Sequence, residues 1–227
     1  MLGGSMRGSL HPPALLFALL LGGTPVAAQV RGLPVYNSGI PRGIGLYGDV
    51  GFPNDAAGGG HAFGATGRLG LGPLAFTASL ALFNPKGPSG TDASVGATAN
   101  YRIFGGPLVP LSVTVQGGVG YAKPDGGVLP GDKINDWHFP IGVGFALTIP
   151  NPALAIKPWL APRVDIHRTS LNGDSNTDTN FGLSGGIEFN LLSGLGLHAA
   201  YDYVNGDPSN PGIFGIGAHY TFRVPGL

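Results

Sequence analysis

"GIFGIGAHYTF", residues Gly212 to Phe222, alternates without a break. Phe214, Ile216, Ala218, Tyr220 and Phe222 fall on one face, and Gly215, Gly217, His219 and Thr221 on the other. An apolar residue at every second position is the period of a strand, not of a helix. The same pattern recurs upstream. Phe181, Leu183, Ile187, Phe189 and Leu191 alternate with Gly182, Ser184, Gly186, Glu188 and Asn190. Trp137, Phe139, Ile141, Val143, Phe145, Leu147 and Ile149 do the same against small and polar residues, as do Leu111, Val113, Val115, Val119 and Tyr121.

Ten segments carry this alternation: about 43–52, 60–71, 74–83, 93–103, 111–122, 137–149, 156–167, 181–191, 195–204 and 212–222. Most are about twice the usual soluble strand of about 5 to 6 residues and match the roughly 9–11 that cross a bilayer when tilted. The connections 72–73, 104–110, 150–155 and 192–194 are short, whereas 53–59, 84–92, 123–136, 168–180 and 205–211 are mostly longer and richer in charge. Short periplasmic turns set against longer outer loops predict an all-β, up-and-down antiparallel transmembrane β-barrel, with both termini periplasmic. Pro158 and Pro162 interrupt the seventh segment, which leaves eight strands as the alternative count.

Composition separates this reading from a soluble barrel. Charged residues are 11% of the chain, against about 25% in an ordinary soluble domain. A soluble barrel would carry Lys and Glu on its wetted face; here the less apolar face is largely Gly, Ser, Thr, Ala and Asn, which suits a crowded lumen. Phe52, Tyr101, Tyr121, Trp137, Tyr201, Tyr203 and Phe222 end strands on the apolar face, as interfacial girdles do. Arg7, the apolar run Ala14 to Gly23 and the small residues Val26-Ala27-Ala28 read as a secretory signal peptide over 1–28. The chain then divides into a periplasmic N-terminal segment, 29–42, an outer-membrane barrel, 43–222, and a C-terminal tail, 223–227. Absence of cysteine is compatible with export without a disulfide framework.

Signal peptide, alternation over nearly all the mature chain, and a last strand ending Tyr220-Thr-Phe222 together resemble the small bacterial outer-membrane barrels of the OmpA and opacity-protein type. The resemblance is architectural. It implies residence in the outer membrane of a Gram-negative type bacterium and recognition by barrel-insertion machinery. Those proteins usually end on an aromatic residue, whereas this chain continues with Arg223 to Leu227.

"RGIGLYGDVGF", Arg42 to Phe52, also spells the G-x-G-x-x-G of a dinucleotide-binding turn. That fingerprint needs a buried strand before it and a helix after it. Pro53 and Gly58-Gly59-Gly60 forbid the helix. The stretch reads instead as the first wall strand, with Ile44, Leu46, Val50 and Phe52 towards lipid. Its glycines relieve tight turning and packing in a narrow interior.

Parity places Asp49, Arg68, Arg102, Gln116, Lys157, Arg163, Asp165, Glu188 and Asp202 in the lumen, with His138, His167, His198 and His219. Buried charges persist only when paired, so a network of lumen ion pairs is expected, for example Glu188 or Asp165 with Arg163 or Lys157. The function expected is structural, surface-interacting or envelope-stabilising. The alternative is a narrow porin-like channel selected by those charges. Two catalytic readings come third. His167 with Ser170 imitates a lipid A deacylase, although its H-x-S-N run is absent, and Asp165, His167 and Asp202 imitate an omptin-like protease. Asp174 to Asn180 imitates the start of a calcium loop but lacks its glycine and terminal glutamate, so an ordinary outer loop is expected. No catalysis, cofactor, metal or nucleic acid is expected. The anticipated contacts are outer-membrane lipid and lipopolysaccharide, around a monomer.

Overall fold

The structure, a computed structural model, describes residues 29–41, 43–87, 90–106, 109–124, 134–206 and 208–222. The signal peptide, Arg42, most of loop 123–136 and the tail lie outside the described residues. Ten antiparallel strands follow one another: β1 (Gly43–Pro53), β2 (His61–Leu71), β3 (Leu74–Asn84), β4 (Asp92–Gly106) and β5 (Val109–Ala122). They continue as β6 (Ile134–Leu147), β7 (Leu154–Leu171), β8 (Asp174–Leu191), β9 (Leu195–Asn205) and β10 (Gly212–Phe222). Each pairs with its sequence neighbours, and β1 with β10 closes the barrel from Ile44↔Phe222 to Pro53↔Ile213. Closure pairs the two edges that an open sheet would expose, the condition for crossing hydrocarbon with strands. No helix among the described residues is long and apolar enough to cross.

The prolines that left eight strands open sit where the ladder is interrupted. In β7, Pro158 and Pro162 keep register with Ile187 and Leu183 of β8. Towards β6 the pairs Phe145↔Leu160 and Gly142↔Arg163 bracket a stretch without partners that contains Pro162, and the ladder stops at Ala146↔Trp159, before Pro158. A residue with no N–H is tolerated where no donor is required.

Burial is inverted relative to a soluble protein. Leu80, Val95, Ile141 and Leu197 are 53–60% exposed, while Asp165, Asp202 and Glu188 are at most 5% exposed. Of the aromatic residues expected in girdles, Phe52, Tyr101, Trp137, Tyr201 and Phe222 are exposed and Tyr121 and Tyr203 are half-buried. The outward face therefore carries the apolar belt that a bilayer solvates, and the interior is largely polar with small apolar clusters around Leu33, Val35 and Trp159.

Residues 168–180 are not the long loop expected. β7 and β8 run on for 18 residues each, against 11 in β9 and β10, and meet in a two-residue turn, Asn172-Gly173. Their φ values are +53° and +107°, the left-handed pair that a type I′ hairpin needs and that Asn-Gly supplies. Asp174 to Asn180 is thus strand, paired with β7 from Leu171↔Asp174 to Asp165↔Asn180. The last β8–β9 pair is Phe181↔Asn205, so a ribbon stands beyond β9 at the long-loop end.

Residues 29–41, the described part of the segment expected in the periplasm, lie elsewhere. Gln29 to Gly39 are buried apart from the half-buried Tyr36, and Ile40 and Pro41 are half-buried. This thread runs inside the barrel, from the end where β4 begins to the short-turn end where β1 starts. It has no strand partner. Its place is fixed by the inner wall.

Candidate functional site

A barrel of ten strands is wider than side chains alone readily fill, and the thread occupies the surplus. Three inward glycines mark its path. A Cβ on Gly120 would strike the carbonyl oxygen of Gln29, one on Gly51 that of Gly32, and one on Gly70 that of Pro41. The glycines of "GIGLYGDVGF" therefore have a cause more specific than tight curvature: at Gly51 a backbone passes where a side chain would be.

Polar wall groups bond four backbone groups of the thread and the side chains of Asn37 and Ser38. Arg31 N–H donates to Ser94 Oγ at 3.0 Å, and the Arg31 guanidinium pairs with Asp92 at 2.9 Å. Val35 N–H donates to Asp202 Oδ2 at 3.2 Å, and Gln116 Nε2 donates to the Tyr36 carbonyl at 3.0 Å. Asn37 Oδ1 accepts from Asn100 Nδ2 at 3.0 Å and from Thr114 Oγ1 at 2.8 Å. Ser38 Oγ donates to Glu188, and Arg68 donates from Nη1 to Ser38 Oγ at 3.1 Å and from Nη2 to the Gly39 carbonyl at 2.7 Å. These bonds give partners to part of the polar groups that a buried segment without secondary structure must satisfy. Leu33 and Val30 supply the apolar contact, in a cluster with Ala62, Ala81 and Phe83.

The inward wall charges form four groups, one of them the pair His167 and Asp136. Arg163 bridges Asp165 at 2.9 Å and Asp202 at 2.6 Å, and His138 Nε2 lies 2.8 Å from Asp165. Glu188 is shared by Arg68 and Lys157, each at 3.7 Å. Asp49 lies 2.6 Å from His198 Nε2, and His198 Nδ1 lies 3.1 Å from His219 Nδ1. Gln116 joins the thread, not the charges. Arg102 joins neither: half-buried at the short-turn end, it donates to the Gly72 carbonyl at 3.2 Å. It follows β4 towards the turn, where the wall gives way to solvent.

Neither catalytic arrangement forms among the described residues. His167 faces inward and bonds Asp136, and Ser170, three positions on, has the opposite parity. Asp165, His167 and Asp202 are at most 2% exposed, and Arg163 holds both aspartates, so no groove presents them to a peptide. Among the described residues no group of three or more His, Asp or Glu side chains is placed to hold a metal.

No protein-family model matches the chain. No curated protein matches it either. Solved structures do. The β domain of the Bordetella autotransporter BrkA is 15% identical with a TM-score of 0.50, over 79% of this chain and 99% of that one. The N-terminal β-barrel domain of Pseudomonas aeruginosa OprF is 12% identical with a TM-score of 0.39, over 80% and 98%. Neisserial surface protein A is 17% identical with a TM-score of 0.38, over 79% and 97%. The fold is that of the small outer-membrane β-barrels. Within such a barrel the sequence-expected lumen residues line one threaded channel, except Arg102 at its rim. Sequence parity found the wall side chains. It missed Ser94, Asn100 and Thr114 as anchors, because nothing in their own strands announces a thread.

Proposed function

We propose that this outer-membrane barrel is closed by its own N-terminal segment and serves a structural or surface-presenting role. The observation that carries this is the thread, which fills the lumen from Gln29 to Pro41 and engages charged and polar groups around the wall. The ion groups brace both the wall and the thread. Arg163 lies between two carboxylates, Glu188 is shared by two cations and Asp49 is bonded to His198, so each buried carboxylate has a partner, which a desolvated charge requires. The β7–β8 ribbon is the element that extends furthest in register, and its Ser, Thr, Asn and Asp residues suit contact in water. With signal-peptide removal near Ala28, the mature chain would begin at the thread itself.

Conductance in a planar bilayer is the test. The wild-type barrel, with its fold verified by a heat-dependent gel shift, is expected to pass no steady current. A steady ohmic current would overturn the closed-barrel reading and favour a narrow solute channel.

A further inference from the structure

Below the thread, at the short-turn end, the barrel opens into a vestibule that the closed-lumen reading leaves unused. Two cavities of about 290 Å³ each flank Ile40 and Pro41, and both touch Thr148 and Lys157. The first is lined by Arg102, Lys157, Ser112 and Thr148 with several glycines, and by no carboxylate. The second adds Arg68, Glu188 and Asn190. Three cations thus face one carboxylate. Glu188 is already divided between Arg68 and Lys157, at 3.7 Å each, and also accepts from Ser38. Arg102 has no carboxylate partner among the described residues, and its guanidinium donates to the Gly72 carbonyl.

We propose that this vestibule is a binding site for a phosphate group carried on a small polar body. An excess of positive charge inside a low-dielectric mouth focuses field and draws an anion. A guanidinium offers the forked donors that phosphate oxygens accept, an ammonium adds a point charge, and the Ser112 and Thr148 hydroxyls add neutral donors. The glycines Gly39, Gly43, Gly70 and Gly72 keep the space clear. Each cavity lies near the bottom of the roughly 300–1,000 Å³ range for small-molecule sites, which restricts the ligand to a few atoms beyond its phosphate. The bearer is either a free solute or the headgroup of a phospholipid at that mouth. The site does not depend on whether the lumen conducts, so its test and the conductance test fail separately.

Full-length protein in a phosphate-free maltoside detergent, titrated by calorimetry with inorganic phosphate and with glycerol phosphate, gives the reading. Saturable binding is expected. It should weaken about tenfold or more in Arg102→Gln and further in the Arg102→Gln/Lys157→Gln pair, since each charge-assisted bond lost is worth about 1.5–3 kcal/mol. Arg102 is half-buried and its guanidinium makes a backbone contact, so its variant is expected to keep the heat-dependent gel shift. Short-chain phosphatidylglycerol binding at least tenfold tighter than glycerol phosphate identifies the lipid source, and equal binding the solute. Absence of saturable binding by either phosphate ligand, or binding unchanged in the double variant, overturns the site.

Discussion

Asp202 in β9 accepts a hydrogen bond from the backbone N–H of Val35 at 3.2 Å, while its other oxygen receives Arg163 at 2.6 Å. One carboxylate therefore ties the thread to the wall and neutralises a wall cation. Removing it by Asp202→Ala leaves Arg163 with Asp165 alone and Val35 N–H without its acceptor. Breaking one partner out of a buried pair costs about 3–5 kcal/mol. The urea midpoint of the folded barrel, followed by tryptophan fluorescence in detergent, is expected to fall accordingly; an unchanged midpoint would deny the pairing its role.

The glycines give a paired prediction. Gly120→Val places a branched side chain where the Gln29 carbonyl lies, whereas the Cβ position of Gly117 meets nothing within 4 Å. Gly120→Val is expected to cost about 1–3 kcal/mol by overpacking, or to expel the upper thread. Gly117→Val is expected to be near neutral. Limited proteolysis followed by mass spectrometry checks this: new cleavage within 29–35 should appear in the first variant and be absent from the second.

Asn37 Oδ1 accepts from two wall residues, Asn100 and Thr114. Asn37→Ala strands both donors in the lumen at about 1–3 kcal/mol for each unsatisfied group. Because the thread has no strand pairing to hold it, this loss should fall on the thread more than on the barrel. Amide exchange by mass spectrometry is expected to rise in 29–41 and stay constant in β3 to β5. Uniform acceleration would instead mean that thread and wall unfold as one unit.

Leu80 and Leu197 are 54% and 60% exposed in the middle of the apolar face. If bilayer surrounds them, Leu80→Arg should cost about 2–4 kcal/mol, the penalty for a cation near the midplane. In water the same change would be close to free. Yield of heat-modifiable protein in the membrane fraction separates the two, and full yield of the variant would count against the lipid-facing assignment.

The Asn172-Gly173 turn makes a local prediction. Asn172→Val places a β-branched residue at φ +53°, which costs roughly 1–2 kcal/mol. The effect should stay in the ribbon beyond the Phe181↔Asn205 pair, where β8 is held by β7 alone. Faster exchange confined to 168–180 is the expected result.

How far the sequence could be read follows from which contacts are periodic. Phe214, Ile216 and Tyr220 announce their side because a strand repeats every two residues, and β10 spans the residues expected of it. The pairing of Lys157 with Glu188 was legible as an expectation because both face inward from neighbouring strands, and they stand opposite in register. The ribbon was missed although its signal was present. Asn172-Gly173 is a hairpin dipeptide, but the polar residues after it hid the alternation.

The sequence by itself determined the wall: ten alternating segments, their order, and which side chains face lipid, because strand pairing between neighbours makes each face a local property. Only the tertiary structure decided what fills the barrel. Residues 29–41 carry no period of their own, with Gly32, Pro34, Gly39 and Pro41 breaking any regular element. Their burial depends on donors and acceptors contributed together by β2, β4, β5, β8 and β9. That inner surface exists only once the barrel has closed.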